Sequence, residues 1–164
     1  MFSLQNAVLF ITILFSGLVA GLLYSYSCSV NIGLKALPDA EYLQAMQSIN
    51  IAIQNPYFFI SFMGLLLLFP ISARGFYSMQ AMTSFYLLLI AISLYFIGVF
   101  GVTVFGNVPL NNQLAKFVIS SASSDEISTM RSAFETAWNK FHLIRTVSAI
   151  LSFAFTILSI IKCK

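Results

Sequence analysis

Trp138, His142 and Arg145 stand at spacings of four and three, which on a helix puts an indole, an imidazole and a guanidinium on one face. Such a set can hold a flat molecule. Indole stacks on a planar ring, a guanidinium holds an anion, and a neutral imidazole accepts a proton. His142 is the single histidine of the chain, and Arg145 is followed by sixteen residues, 146–161, without a charge. An arginine inside a bilayer costs about 2.5–3.5 kcal/mol at a helix centre, less near its end, and commonly faces a bundle interior or a watery cavity. The plainer reading is that Trp138 belongs to an interfacial belt and Arg145 snorkels outward.

The second group of candidates is amide-bearing. Asn31, Asn50, Asn55, Asn107, Asn111, Asn112 and Asn139 all fall in or beside two long connections. Helix caps and turns explain most asparagines in such places. Asn31 and Asn107 carry more weight because an internal repeat puts them in equivalent positions, directing two amides toward a shared axis. Of the tyrosines before Asn31, Tyr24 reads as an interfacial anchor, and Tyr26 stays as a candidate contact. The expectation is a pocket between the Asn31 and Asn107 elements, lined by Trp138, His142 and Arg145, with Asn111 and Tyr26 contributing to binding and His142 and Arg145 to chemistry.

Other chemistries fail on residue types. A zinc or non-haem iron site needs several clustered His, Cys or carboxylate ligands, whereas this chain has one His, two cysteines far apart, and acids only in the connections. Haem on His142 with Met46 or Met130 is less natural than packing by those methionines. No Gly-rich phosphate loop or Gly-x-Ser-x-Gly elbow occurs. Eight basic residues form no run able to track a phosphate backbone, which argues against nucleic acid as a partner. No metal or cofactor is expected.

The elements that must position these residues follow from charge. Only 8% of the 164 residues are charged, against 59% hydrophobic, and residues 1–34, 42–73, 75–115 and 146–161 contain no charge. With roughly 20 apolar residues needed per crossing, the chain reads as an all-α integral membrane four-helix bundle, one domain, with the lipid bilayer as its surroundings. Spans are expected at about 4–30, 56–73, 79–105 and 142–161. The N-terminal apolar run has no preceding basic residue and is too long for a signal peptide's core. Gly17 and Gly21 have the spacing that lets membrane helices approach closely, and Cys28 reads as a small packed residue. Pro70 is expected to kink the second span, and residues 74–78 to form a tight turn. Arg74 in that turn and Lys162 and Lys164 in the tail mark one side as cytoplasmic, so both termini are expected there. Cys28 and Cys163 then lie at opposite faces.

The two connections resemble each other. Asn31-Ile32-Gly33-Leu34 is echoed by Asn107-Val108-Pro109-Leu110, and each leads into an amphipathic stretch. Asp39 is positioned to cap a helix over 39–54 with Tyr42, Met46, Ile49 and Ile53 on one face, and Ser123 with Glu126 has capping-box spacing before a helix over 124–141. In the latter, Ile127, Met130, Phe134, Trp138 and Phe141 form the stripe. A constant offset places Met46 on Met130 and Asn55 on Asn139. Two spans separate the copies, so both helix-pair repeats share one orientation, related by a pseudo-two-fold axis along the membrane normal.

Phe105-Gly106-Asn107-Val108-Pro109-Leu110-Asn111, followed by Trp138, His142, Arg145 and Thr146, resembles the small four-helix membrane family that includes the fungal anthrone oxygenases. The resemblance implies oxidation of an anthrone to an anthraquinone with molecular oxygen and without a metal or flavin. His142 would then be the base, Arg145, Asn107 and Asn111 stabilisers of an anion, and Trp138 a stacking wall. The competing class is a non-enzymatic membrane protein, either a lipophile-binding carrier or an accessory subunit. Nothing suggests a charged relay of the transporter kind.

Overall fold

The computed structural model describes residues 4–162; Cys163 and Lys164, invoked above for the tail, lie outside the described residues. Among the described residues all regular structure is helical. The helices are α1 (Leu4–Lys35), α2 (Asp39–Ala52), α3 (Pro56–Ser78), α4 (Met82–Ala115) and α5 (Ser124–Ile161), with a 3-10 turn at Ile119–Ser121. Four of them, α1, α3, α4 and α5, are long and apolar enough to cross a membrane. The protein is an integral membrane four-helix bundle in which α1 packs on α3 and α5, and α4 packs on α5 and, near the turn, on α3.

The helices run past the expected ends of the spans at 30 and 105. α1 passes through Asn31 to Lys35, and α4 through Asn107 and Pro109 to Ala115, because both widen into π-helical turns, at Tyr26–Val30 and at Leu94–Gly101 and Thr103–Asn107. The second of these in α4 directly precedes Pro109, loosening the helix where a proline ring would otherwise meet a carbonyl. The tight turn expected at 74–78 is helix instead. α3 continues to Ser78, Pro70 sits within it, and the chain reverses at 79–81, where Gln80 takes a left-handed φ of 57°. Residues 74–78 hold no proline and extend the helix beyond Arg74.

Each long connection carries an outer helix, but the two copies differ. In the first copy Asn55 stops the chain and caps α3, its side chain accepting from Phe58 N at 3.1 Å ahead of Pro56. The second copy lacks a proline there, so outer helix and span fuse into the 38-residue α5. Ser123 and Glu126 do form the capping box, with Ser123 N donating to Glu126 at 2.7 Å. Asp39 does not cap: it is the first residue of α2, and its carboxylate pairs with Arg131 at 3.1 Å. Gly17 packs on the Phe153 ring, but Gly21 meets open space, so only one of the pair serves a helix contact. Cys28 is exposed rather than packed.

Two apolar clusters result. The larger lies within the spans, around Leu65, Phe69, Phe76, Leu88, Tyr95 and Val99; the other joins α2 to the outer half of α5 through Tyr42, Leu43, Met46, Leu114, Phe134 and Trp138. Arg131 fastens this outer layer. It donates to the carbonyls of Lys35 and Leu37, pairs with Asp39 and Glu135, and lies 4.4 Å from the centre of the Tyr42 ring. Burial pushes the Tyr42 phenol well above its usual range, keeping the ring neutral beneath that cation.

Candidate functional site

A cavity of about 320 Å³ lies where the two clusters meet, toward the end of the bundle that carries the connections. That volume is at the lower end of the range of small-molecule pockets, about 300–1,000 Å³. Phe58 and Phe62 of α3 and Phe100 of α4 form its apolar side. Across the bundle α5 supplies Trp138, His142 and Arg145, and the π turns of α1 and α4 bring Tyr26, Thr103 and Asn107 to the rim. π turns often mark functional positions because the extra residue redirects side chains.

The expected trio is together, and its geometry is tighter than spacing implies. The His142 ring stacks on Trp138 with centroids 5.0 Å apart and planes at 12°, while Tyr26 tilts against both at 5.0 and 5.2 Å. Arg145 lies 5.5 Å from the Trp138 ring centre. Trp138 N–H donates to Asn111 at 2.9 Å, and the Asn107 amide donates to the Trp138 carbonyl at 3.2 Å. Trp138 thus gives part of its face to His142 and serves as a fixed wall rather than an open stacking surface.

The histidine's tautomer follows from its partners. Arg145 Nη2 stands 3.2 Å from Nδ1, and a guanidinium only donates, so Nδ1 accepts and Nε2 carries the hydrogen. That hydrogen points to Ser27 Oγ at 2.9 Å, with Thr146 Oγ1 next at 3.4 Å. Arg145 Nη1 in turn donates to Thr103 at 3.3 Å. Threonine, arginine, histidine and serine so form one chain across α4, α5 and α1. Sequence reading missed Ser27 and Thr103, because hydroxyls within apolar runs carry no signal of their own.

Arg145 is a half-buried cation without an acid beside it among the described residues. Both ion pairs found among the described residues belong to Arg131. The Arg145 Nε atom is buried with no hydrogen-bond partner, as are Asn50 Nδ2 and Asn107 Oδ1, and all three residues line the cavity. Leaving such groups unpaired costs about 1–3 kcal/mol each, more for a charge. The cavity therefore offers two donors and one acceptor to an occupant.

Of the residues expected to bind, Tyr26, Asn107, Asn111, Trp138, His142 and Arg145 line the cavity, and Asn31 does not. Asn31 is only half-buried, whereas Asn107 is 1% exposed. Gly106 accounts for the burial of its neighbour: a Cβ there would stand 2.8 Å from the Phe141 ring, so glycine lets α4 press on α5. The site is one-sided, not shared between the Asn31 and Asn107 elements as expected. Among the described residues, no three of His, Cys, Asp and Glu come together as a group able to hold a metal ion.

Residues 57–155, more than half of the chain and including α5 from its first turn to Phe155, match the family model described as anthrone oxygenase. No curated protein and no solved structure matches.

Proposed function

Because the chain belongs to the anthrone oxygenase family, we propose that its cavity binds an anthrone-like polycyclic phenol or ketone and oxidises it with molecular oxygen. The observation that carries this reading is the Arg145 guanidinium, unpaired with any acid and holding a buried free donor in a cavity whose one side is aromatic. A ketone oxygen completes Arg145. A phenolic hydroxyl can satisfy the free oxygen of Asn107, and the phenyl rings of Phe58, Phe62 and Phe100 receive the flat carbon skeleton.

Arg145 favours the oxyanion over the ketone, which makes the ring methylene opposite that ketone more acidic. His142 Nδ1 takes the leaving proton once the arginine turns from it toward substrate, and Ser27 holds the ring in the required tautomer. The electron-rich anion forms a carbon–oxygen bond to O2, which is the oxidant. The proton on His142 passes to the distal oxygen, the second methylene hydrogen leaves as a proton, and the O–O bond breaks. One O2 is consumed, the CH2 becomes C=O, and one water is released.

The test is oxygen uptake by purified protein in lipid nanodiscs given an anthrone, with quinone absorbance followed alongside and spontaneous oxidation subtracted. One O2 per quinone in the wild type, lost in folded Arg145→Ala, is the expected outcome. Saturable binding of the aromatic without uptake would identify a carrier instead, and neither would leave an accessory subunit.

A further inference from the structure

The cavity has a flank that the protein does not close. On α3 its edge is Phe59 and Met63, and on α4 it is Val104 and Val108, with exposures of 40%, 44%, 38% and 39%. α3 packs on α4 alongside Met82–Ser93. Farther toward the connections, large side chains bridge the two helices: the Tyr95 hydroxyl donates to the Phe62 carbonyl at 2.6 Å, and the Phe62 and Phe100 rings meet at 5.8 Å. Above that bridge the space between α3 and α4 is the cavity itself. Gln54, in the connection between α2 and α3, and Asn112, in the last turns of α4, line its corner toward the connections.

A mouth that opened to water would be edged by polar groups. Here four exposed apolar side chains edge it, on helices whose length and hydropathy place them across a bilayer, where acyl chains are their neighbours. A flat apolar molecule concentrates in lipid and is scarce in water. We propose that the cavity is filled sideways, from the acyl-chain region of the bilayer, through the gap between α3 and α4 bounded by Phe59, Met63, Val104 and Val108. The ligand is then one already dissolved in the membrane, presenting its polar oxygens to Arg145 after its rings have passed the mouth. This inference rests on the cavity being a ligand site and not on oxidation.

Trp138 is the chain's single tryptophan and lines the cavity, so its fluorescence reports what enters. The protein is reconstituted into phosphatidylcholine vesicles brominated in mid-acyl chain or left unbrominated, and iodide is added to each as the aqueous quencher. Brominated lipid is expected to reduce the emission by at least half, with iodide removing under a tenth. Val104→Phe and Met63→Phe, made separately at exposed positions, are each expected to restore most of the emission. Ile90→Phe, on the lipid-facing side of α4 away from the mouth, is expected to change nothing. Quenching by iodide with indifference to bromine would overturn the lateral route, as would bromine quenching untouched by both mouth substitutions. Lateral quenching without oxygen uptake would retain the route and reject the oxidation.

Discussion

Gln47 and Arg131 lie 84 positions apart and cap each other's halves of the molecule. Gln47 of α2 donates to the carbonyls of Leu114 and Phe117, at the end of α4. Arg131 of α5 donates to the carbonyls of Lys35 and Leu37, at the end of α1. Each long helix leaves unpaired carbonyls at its terminus, and the other copy's outer helix answers them. The offset that pairs Met46 with Met130 also pairs these two residues, although one is a neutral amide and the other a charged fork.

Arg131→Ala is expected to destabilise the protein by about 3 kcal/mol, since it strips a buried network of its only cation. Arg131→Lys should recover little, because one ammonium cannot serve two carbonyls and two carboxylates in that fixed geometry. Thermal unfolding in detergent, followed by circular dichroism, measures both.

Ser27→Ala leaves the His142 N–H with Thr146 alone, at the longer distance of 3.4 Å. Loss of one such hydrogen bond, about 1 kcal/mol, should lower kcat roughly fivefold while leaving KM and the fold unchanged. His142→Gln is expected to retain ligand binding and lose about a hundredfold in turnover. Steady-state oxygen uptake over a range of anthrone concentrations separates kcat from KM in both.

Gly106→Ala should push α4 from α5 beside the cavity, because the added Cβ meets the Phe141 ring at 2.8 Å. Overpacking of this kind costs about 1–3 kcal/mol. The same thermal melts check it, and Phe141→Leu in the alanine background is expected to recover part of the loss.

The architecture was legible because charge-free runs and the repeated Asn-x-x-Leu elements are properties of composition and spacing. Trp138, His142 and Arg145 were legible for the same reason, since one helical face needs only their intervals. The fusion of outer helix and span in α5 was not. Its equivalent asparagine, Asn139, gave the same local sign as Asn55, and only Pro56 separates the two outcomes. Nor could spacing show that π turns would bring Ser27 and Thr103 onto Arg145 and His142, or that Asn31 would stay outside the cavity. Nothing in the sequence singled out Arg131, because two of its partners are the backbone carbonyls of Lys35 and Leu37, which have no sequence signature.

Both termini are proposed to face the cytoplasm, on the strength of Arg74 and Lys162 at one end of the bundle. In a background with both native cysteines replaced by serine, Gln80→Cys should react with a membrane-impermeant maleimide only after the membrane is opened. Ser120→Cys should react in intact cells. The reverse pattern would invert the orientation without altering the bundle.

The cavity is proposed to seat an aromatic ligand with an oxygen on Arg145. Titration of anthraquinone, the expected product, against Trp138 fluorescence in nanodiscs measures this, because the single tryptophan lines the same cavity. Saturable quenching with one site per chain is expected, weakened at least tenfold in Arg145→Ala and nearly unchanged in Asn31→Ala. Quenching that rises linearly without saturation, or that Arg145→Ala leaves intact, would contradict it.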